Sequence, residues 1–165
     1  MNLPNAEILF ETLAERIKPL IKANTAIVGI HSGGAWLAER LLPLLGHDLE
    51  HGILDVSFYR DDFNERGLHR ETKPSQIPFD VQDKHILLID DVFYTGRTIR
   101  AAMNELFDYG RPASITLAVL VNRGGRELPI APQISAFDTV LADTQNLQLL
   151  RHENGTFYFT LEENT

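Results

Sequence analysis

The chain has 165 residues, of which 44% are apolar and none is cysteine, which suits one globular domain with a real core and excludes disulfides, thiolate metal sites and a cysteine nucleophile. A net charge of −8 argues against a general nucleic-acid binder, since that mode neutralises phosphates with lysine and arginine, although a local basic patch stays open. No apolar stretch approaches the roughly 20 residues that span a bilayer, and the N-terminus lacks a basic region leading into an apolar one, so a cytoplasmic protein without a membrane partner is expected.

From Ala6 to about Ile21, Ile8, Leu9, Leu13, Ile17, Leu20 and Ile21 recur at helical spacing, and Asn5 is placed to cap the helix. Ala26 to Ile30 reads as a short buried strand. It runs into the glycine-rich turn His31, Ser32, Gly33, Gly34, after which Ala35 to Leu45 resumes helical spacing. Such a turn is either an ordinary tight connection or an anion site, because glycines let backbone amides approach a phosphate. Gly52 to Tyr59 reads as the next strand. Arg60, Asp61 and Asp62 then open a polar passage to Gln76 that contains Arg66, Arg70 and Lys73. A loop of this length is a solvated tip or a cationic lid that excludes water.

The most informative stretch is Ile86 to Thr98, I-L-L-I-D-D-V-F-Y-T-G-R-T. An apolar run from Ile86 to Ile89 suits a strand buried on both faces of a parallel sheet, and ligands of open α/β sheets bind beyond the carboxyl ends of such strands. Asp90 and Asp91 stand there. Ile99, Ala102, Met103, Leu106 and Phe107 continue at helical spacing until Gly110 and Pro112. Thr95 to Thr98 is therefore a helix N-terminus, whose unpaired N–H groups and positive dipole end attract an anion, with the threonine hydroxyls as further donors. The acid pair alone is also compatible with a solvated strand end. Beside a phosphate cradle, carboxylates suit the hydroxyls of a sugar, directly or through a hydrated metal, and the combination points to a sugar phosphate.

Ser114 to Val121 reads as a further buried strand, followed by a loop from Asn122 to Pro129 in which Arg123 and Arg126 are surface charges or phosphate clamps. Phe137 to Leu141 and Leu147 to His152 read as strands. Asn154-Gly155 marks a two-residue type I′ hairpin turn into Thr156 to Leu161. The six histidines show no metal-ligand spacing, and no repeat or composition break divides residues 1–165, so a single domain is expected.

The stretch Asp90 to Met103, D-D-V-F-Y-T-G-R-T-I-R-A-A-M, resembles the phosphoribosyl pyrophosphate (PRPP) signature of type I phosphoribosyltransferases, and most of all the PyrR family of pyrimidine operon regulators that are also uracil phosphoribosyltransferases. Similarity continues through V-G-I-H-S-G-G-A-W-L-A-E-R-L, L-D-V-S-F-Y-R-D-D-F, I-P-F-D-V and R-G-G-R-E-L-P-I. It covers about Ile27 to Ile130. The resemblance implies an α/β fold with a central, mostly parallel sheet flanked by helices, a flexible flap and a small hood. It implies transfer of ribose 5-phosphate from PRPP to uracil, giving uridine monophosphate (UMP) and pyrophosphate. In that reading Asp90 and Asp91 hold the ribose hydroxyls and, through water and PRPP, Mg²⁺. Tyr94, Thr95, Gly96, Arg97 and Thr98 hold the 5′-phosphate, and Ser32, Gly33, Gly34 and Arg60 the pyrophosphate. Other partners it implies are UMP or UTP, pyr leader RNA, and further copies of the chain in a homodimer or homotetramer. The alternatives are a nucleotide-sensing regulator with little catalysis and a transferase for another base. Three departures stand out: His31-Ser32-Gly33-Gly34 where many members have Lys-Thr-Arg-Gly, Gly125 for a histidine, and Ser135 to Leu141 for the pyrimidine-recognising Gly-Lys-Asn-Ile-Pro-Thr.

Overall fold

The computed structural model describes residues 2–46, 48–56 and 75–164. The expectations for the end of the second strand, for Arg60 and for the polar passage to Pro74 lie outside the described residues. Five strands, β1 (Thr25–Ile30), β2 (Glu50–Leu54), β3 (His85–Phe93), β4 (Ser114–Asn122) and β5 (Ile134–Asp138), form one sheet in the order β2-β1-β3-β4-β5. Every pairing in it is parallel. Helix α1 (Ala6–Ile17), helix α2 (Gly33–Leu45) and an antiparallel hairpin of β6 (Gln145–Arg151) and β7 (Phe157–Glu163) accompany the core of one face, where Leu13, Ile17, Leu37 and Leu41 meet Ile27, Leu87, Ile89 and Leu120. Helix α3 (Arg97–Tyr109) covers the other face through Ile99, Ala102 and Leu106 against Val28, Leu88 and Val119. Residues 26–28 of β1, 86–89 of β3 and 117–121 of β4 are buried without alternation, as a strand covered on both faces requires.

Helix α1 is capped as its sequence suggests. The Asn5 side chain accepts from the N–H groups of Glu7 at 2.9 Å and Ile8 at 3.1 Å. The helix stops at Ile17 rather than Ile21, because Pro19 has no N–H to continue it, and Lys18–Leu20 tightens into a 3₁₀ turn. Ile8 and Leu20, expected on the buried stripe, are 60% and 42% exposed. Phe107 likewise turns outward from α3, since it lies one residue, about 100° around the axis, beyond the buried Leu106.

Two strands and one hairpin turn differ most from the reading of the sequence. The third strand does not end at Ile89: pairing continues through Asp90↔Val119 and Val92↔Val121 to Phe93↔Asn122, so both carboxylates belong to β3. The fifth strand is Ile134–Asp138, not 137–141. It is fixed by the register Ala118↔Ile134 and Val121↔Phe137 and by Gln133, whose side-chain oxygen accepts from Leu117 N–H at 2.7 Å. The apolar Val140 that suggested a longer strand is 85% exposed. Finally, the β6–β7 connection is not a two-residue type I′ turn. Gly155 N–H bonds to the His152 carbonyl and His152 N–H to the Thr156 carbonyl. Only Gly155, at φ 90°, has a positive φ there, which is the three-residue hairpin loop with a glycine bulge. No helix among the described residues is long and apolar enough to cross a membrane.

Candidate functional site

Because all five strands run parallel, their carboxyl ends share one edge, and three connections meet there: the turn from β1 to α2, the loop from β3 to α3, and the segment after β4. The first contact is between backbone and backbone. A β-carbon on Gly29 would stand 2.6 Å from the Gly34 carbonyl oxygen, and one on Gly34 would stand 2.3 Å from that of Ile89. Glycine is required at both positions to bring the start of α2 onto β3. The peptide between His31 and Ser32 is cis, and His31 N–H donates to Leu54 O at 2.8 Å. The Ser32 side chain makes no capping bond to α2. Its hydroxyl and the first-turn N–H groups of α2 are thus available to an anion.

Gly33 brings this turn against the acids. A β-carbon there would stand 2.2 Å from Oδ2 of Asp91, so the carboxylate occupies the space that a side chain at position 33 would take. Oδ1 of Asp91 accepts from Val92 N–H at 2.7 Å, and Oδ1 of Asp90 accepts from Asp91 N–H at 2.9 Å. Asp90 is 3% exposed. Among the described residues no three His, Asp or Glu side chains are grouped to hold a metal by themselves. Two carboxylates, each with one oxygen already accepting a backbone N–H, fit a hard cation that brings its remaining oxygen ligands on water or a bound phosphate.

A cavity of about 100 Å³ opens beside Asp90, between Phe93, Tyr94, Thr95, Gly96 and Thr98. Gly96, at φ 97°, turns the chain into α3. The Thr95 hydroxyl accepts from Arg97 N–H at 3.2 Å and keeps its own proton to donate. The Arg97 Nε donates to Glu127 Oε1 at 2.9 Å.

Tyr94 reaches to the far side of the site. Its hydroxyl donates to Asp143 Oδ1 at 3.0 Å, its ring carries the Arg123 guanidinium 3.9 Å from the centroid, and Gly125 makes room for it, a β-carbon at 125 falling 2.4 Å from Cε1. The hydrogen bond to Asp143, then burial, raises the Tyr94 pKa, so the phenol is held neutral. Arg123 is neither a surface charge nor a phosphate clamp. It is 3% exposed and donates through its two terminal nitrogens to the carbonyls of Gln145 at 2.8 Å and Ala142 at 2.9 Å. Sequence reasoning missed both this role and Asp143, because the partners lie about 20 residues downstream in a segment with no motif. Arg126 is exposed.

Residues 2–146 match the phosphoribosyl transferase domain family. The chain is 48% identical over 160 residues to the "Bifunctional protein PyrR" of Nitrosococcus oceani, covering 90% of each, and 46% identical to that of Ralstonia nicotianae, covering 98% of this chain and 96% of the relative. Among solved structures, the purine phosphoribosyltransferase from Pyrococcus horikoshii is similar with a TM-score of 0.61 and 28% identity, over 81% of this chain and 83% of that one. A hypoxanthine phosphoribosyltransferase from Staphylococcus aureus, 18% identical over 87% of this chain and 78% of that one with a TM-score of 0.65, shares the fold.

Proposed function

From the premise that the chain belongs to the PyrR family of phosphoribosyltransferases, we propose that it transfers ribose 5-phosphate from PRPP to uracil, releasing pyrophosphate and forming UMP. The observation that carries this reading is the contact between Asp91 and Gly33, which sets a sugar-binding acid directly against a backbone-lined anion turn. Asp90 and Asp91 accept hydrogen bonds from the ribose hydroxyls. The cradle of Thr95, Gly96 and Thr98, with the Arg97 backbone, receives the 5′-phosphate, and Ser32, Gly33 and Gly34 receive the pyrophosphate. In the reaction the bond from C1 to the pyrophosphate oxygen breaks, a bond from C1 to the base nitrogen forms, and that nitrogen's proton leaves to solvent. Charge is the obstacle, since C1 turns cationic as a polyanion departs. Catalysis is therefore positioning and electrostatics: the acids face the developing cation and the amides of the turn face the leaving group. Mg²⁺, when bound with PRPP, neutralises part of the pyrophosphate charge.

The test is formation of UMP from PRPP, uracil and Mg²⁺. Asp91→Asn should lower kcat by about two to three orders of magnitude, the usual cost of losing one preorganised electrostatic partner. Absence of any nucleotide product with a panel of pyrimidines and purines overturns the reading. The relatives' name, a bifunctional protein, supports a second activity, regulation of pyr genes through leader RNA. A gel shift with that RNA, strengthened by uridine nucleotide, is its test.

A further inference from the structure

We infer that Arg123, Tyr94 and Asp143 form a clamp that sets the acceptor side of the site against its phosphate side, with Asp143 as a positioning residue for recognition of the base. The inference rests on the transfer reaction proposed above and adds what holds the wall beside the base in place. A displacement at C1 brings the incoming group from the side opposite the leaving group. The turn that would hold pyrophosphate follows β1, on one side of β3. The acceptor therefore lies toward β4 and β5, on the other side.

The chain that walls this side is the segment from Thr139 to Gln145, between β5 and β6. Two bonds suspend it from the end of β4: Thr139 N–H donates to Asn122 O at 2.9 Å, and Leu141 N–H to Arg123 O at 3.1 Å. Val140, between them, is 85% exposed at the site edge and approaches Gly124. An exposed apolar side chain at that place suits the face of a planar base. The Arg123 side chain then holds the rest of the segment through the carbonyls of Ala142 and Gln145, and lies on the ring of Tyr94, which belongs to the phosphate loop. Asp143 closes the circuit by accepting from the Tyr94 hydroxyl. One side chain of the phosphate loop thus meets both anchors of the acceptor wall. A buried guanidinium whose Nε has no hydrogen-bond partner among the described residues is a costly way to secure a loop that two backbone bonds already suspend, which favours a role in geometry over one in stability alone.

Calorimetric titration of the full chain with ribose 5-phosphate, UMP, CMP, GMP and IMP tests this, using for each variant the nucleotide that wild type binds best. Asp143 is exposed, so Asp143→Ala should fold as wild type does. It should weaken that nucleotide about fivefold to tenfold, the worth of one hydrogen bond, and leave ribose 5-phosphate within about twofold. Asp143→Asn keeps an acceptor for the Tyr94 hydroxyl and should restore most of the loss. Tyr94→Phe combined with Asp143→Ala should cost no more than Asp143→Ala alone, as coupled partners do. Parallel weakening of nucleotide and ribose 5-phosphate, or no weakening of either, overturns the clamp. A wild-type preference for a base other than uracil overturns the choice of base and leaves the clamp to be judged on the preferred nucleotide.

Discussion

A single methyl group separates alanine from glycine, and at position 33 there is no room for it. With Oδ2 of Asp91 only 2.2 Å from where the β-carbon would be, Gly33→Ala must move the carboxylate, the turn or both. In the proposed reaction Asp91 orients the sugar, and a displacement of about 1 Å of such a group costs on the order of 10²-fold in rate. We expect Gly33→Ala to lower kcat by about that factor while melting close to wild type, measured by steady-state kinetics beside a thermal scan. The departure from the family's Lys-Thr-Arg-Gly thus has a structural counterpart: where many members have arginine, this chain has the Asp91 carboxylate against a bare Cα. That a strand carrying the acids runs into a helix start at the threonines was legible in the sequence, because it depends on short-range order. Arg123 was not. Whether an arginine beside two glycines is solvated or buried is decided by the chain that returns over it, and no local pattern records that return.

At the scale of elements, a polar cluster centred on Glu7 ties the hairpin to the helical layer. Arg40 of α2 makes a two-pronged bond to Glu7 of α1, at 2.6 and 2.8 Å, and Glu7 also accepts from Phe157 N–H at 2.8 Å. The guanidinium lies over the rings of Phe10 and Phe157, 4.2 and 4.5 Å from their centroids, and those rings pack edge to face. The Arg40 bond, with that of Phe157, holds the Glu7 pKa below its ordinary value despite some burial. A carboxylate with a lower pKa folded than unfolded stabilises the fold above its unfolded pKa, and that stability is lost as pH falls through the folded pKa. Stability should therefore decline below about pH 4.3, the unperturbed glutamate value. Glu7→Gln should melt lower than wild type at pH 7 and show a shallower decline between pH 5 and 3, read from thermal scans across that range. The three helices and the alternation with parallel strands were legible from spacing, caps and breakers. The three-residue shift of β5 was not, because Phe137 to Leu141 is apolar enough for a strand, and what selects residues 134–138 is pairing with β4, a contact across more than ten residues.

Over the whole molecule, the net charge of −8 sets the terms on which the acidic chain could hold RNA. Much of the positive charge among the described residues is already spent. Arg40, Lys84, Arg97 and Arg151 stand within ion-pair distance of Glu7, Glu50, Glu127 and Glu39, and Arg123 is buried on carbonyls. Arg16 donates to the Ser135 carbonyl. Each phosphate neutralised by a protein cation contributes about 0.9 to the slope of log affinity against log salt for a duplex and about 0.7 for a single strand. A surface with few uncommitted cations contacts few phosphates, and the body of the protein repels the rest of the strand. Leader RNA should therefore bind with a slope of about −3 or shallower, so that most of its affinity survives a rise from 50 to 200 mM salt. Recognition of that kind rests on unstacked bases held by side chains and on shape rather than on backbone charge. A gel-shift titration at several salt concentrations decides the matter. A slope of −6 or steeper would require a basic surface that the described residues do not carry, and would assign the contact to residues 57–74, where Arg60, Arg66, Arg70 and Lys73 lie.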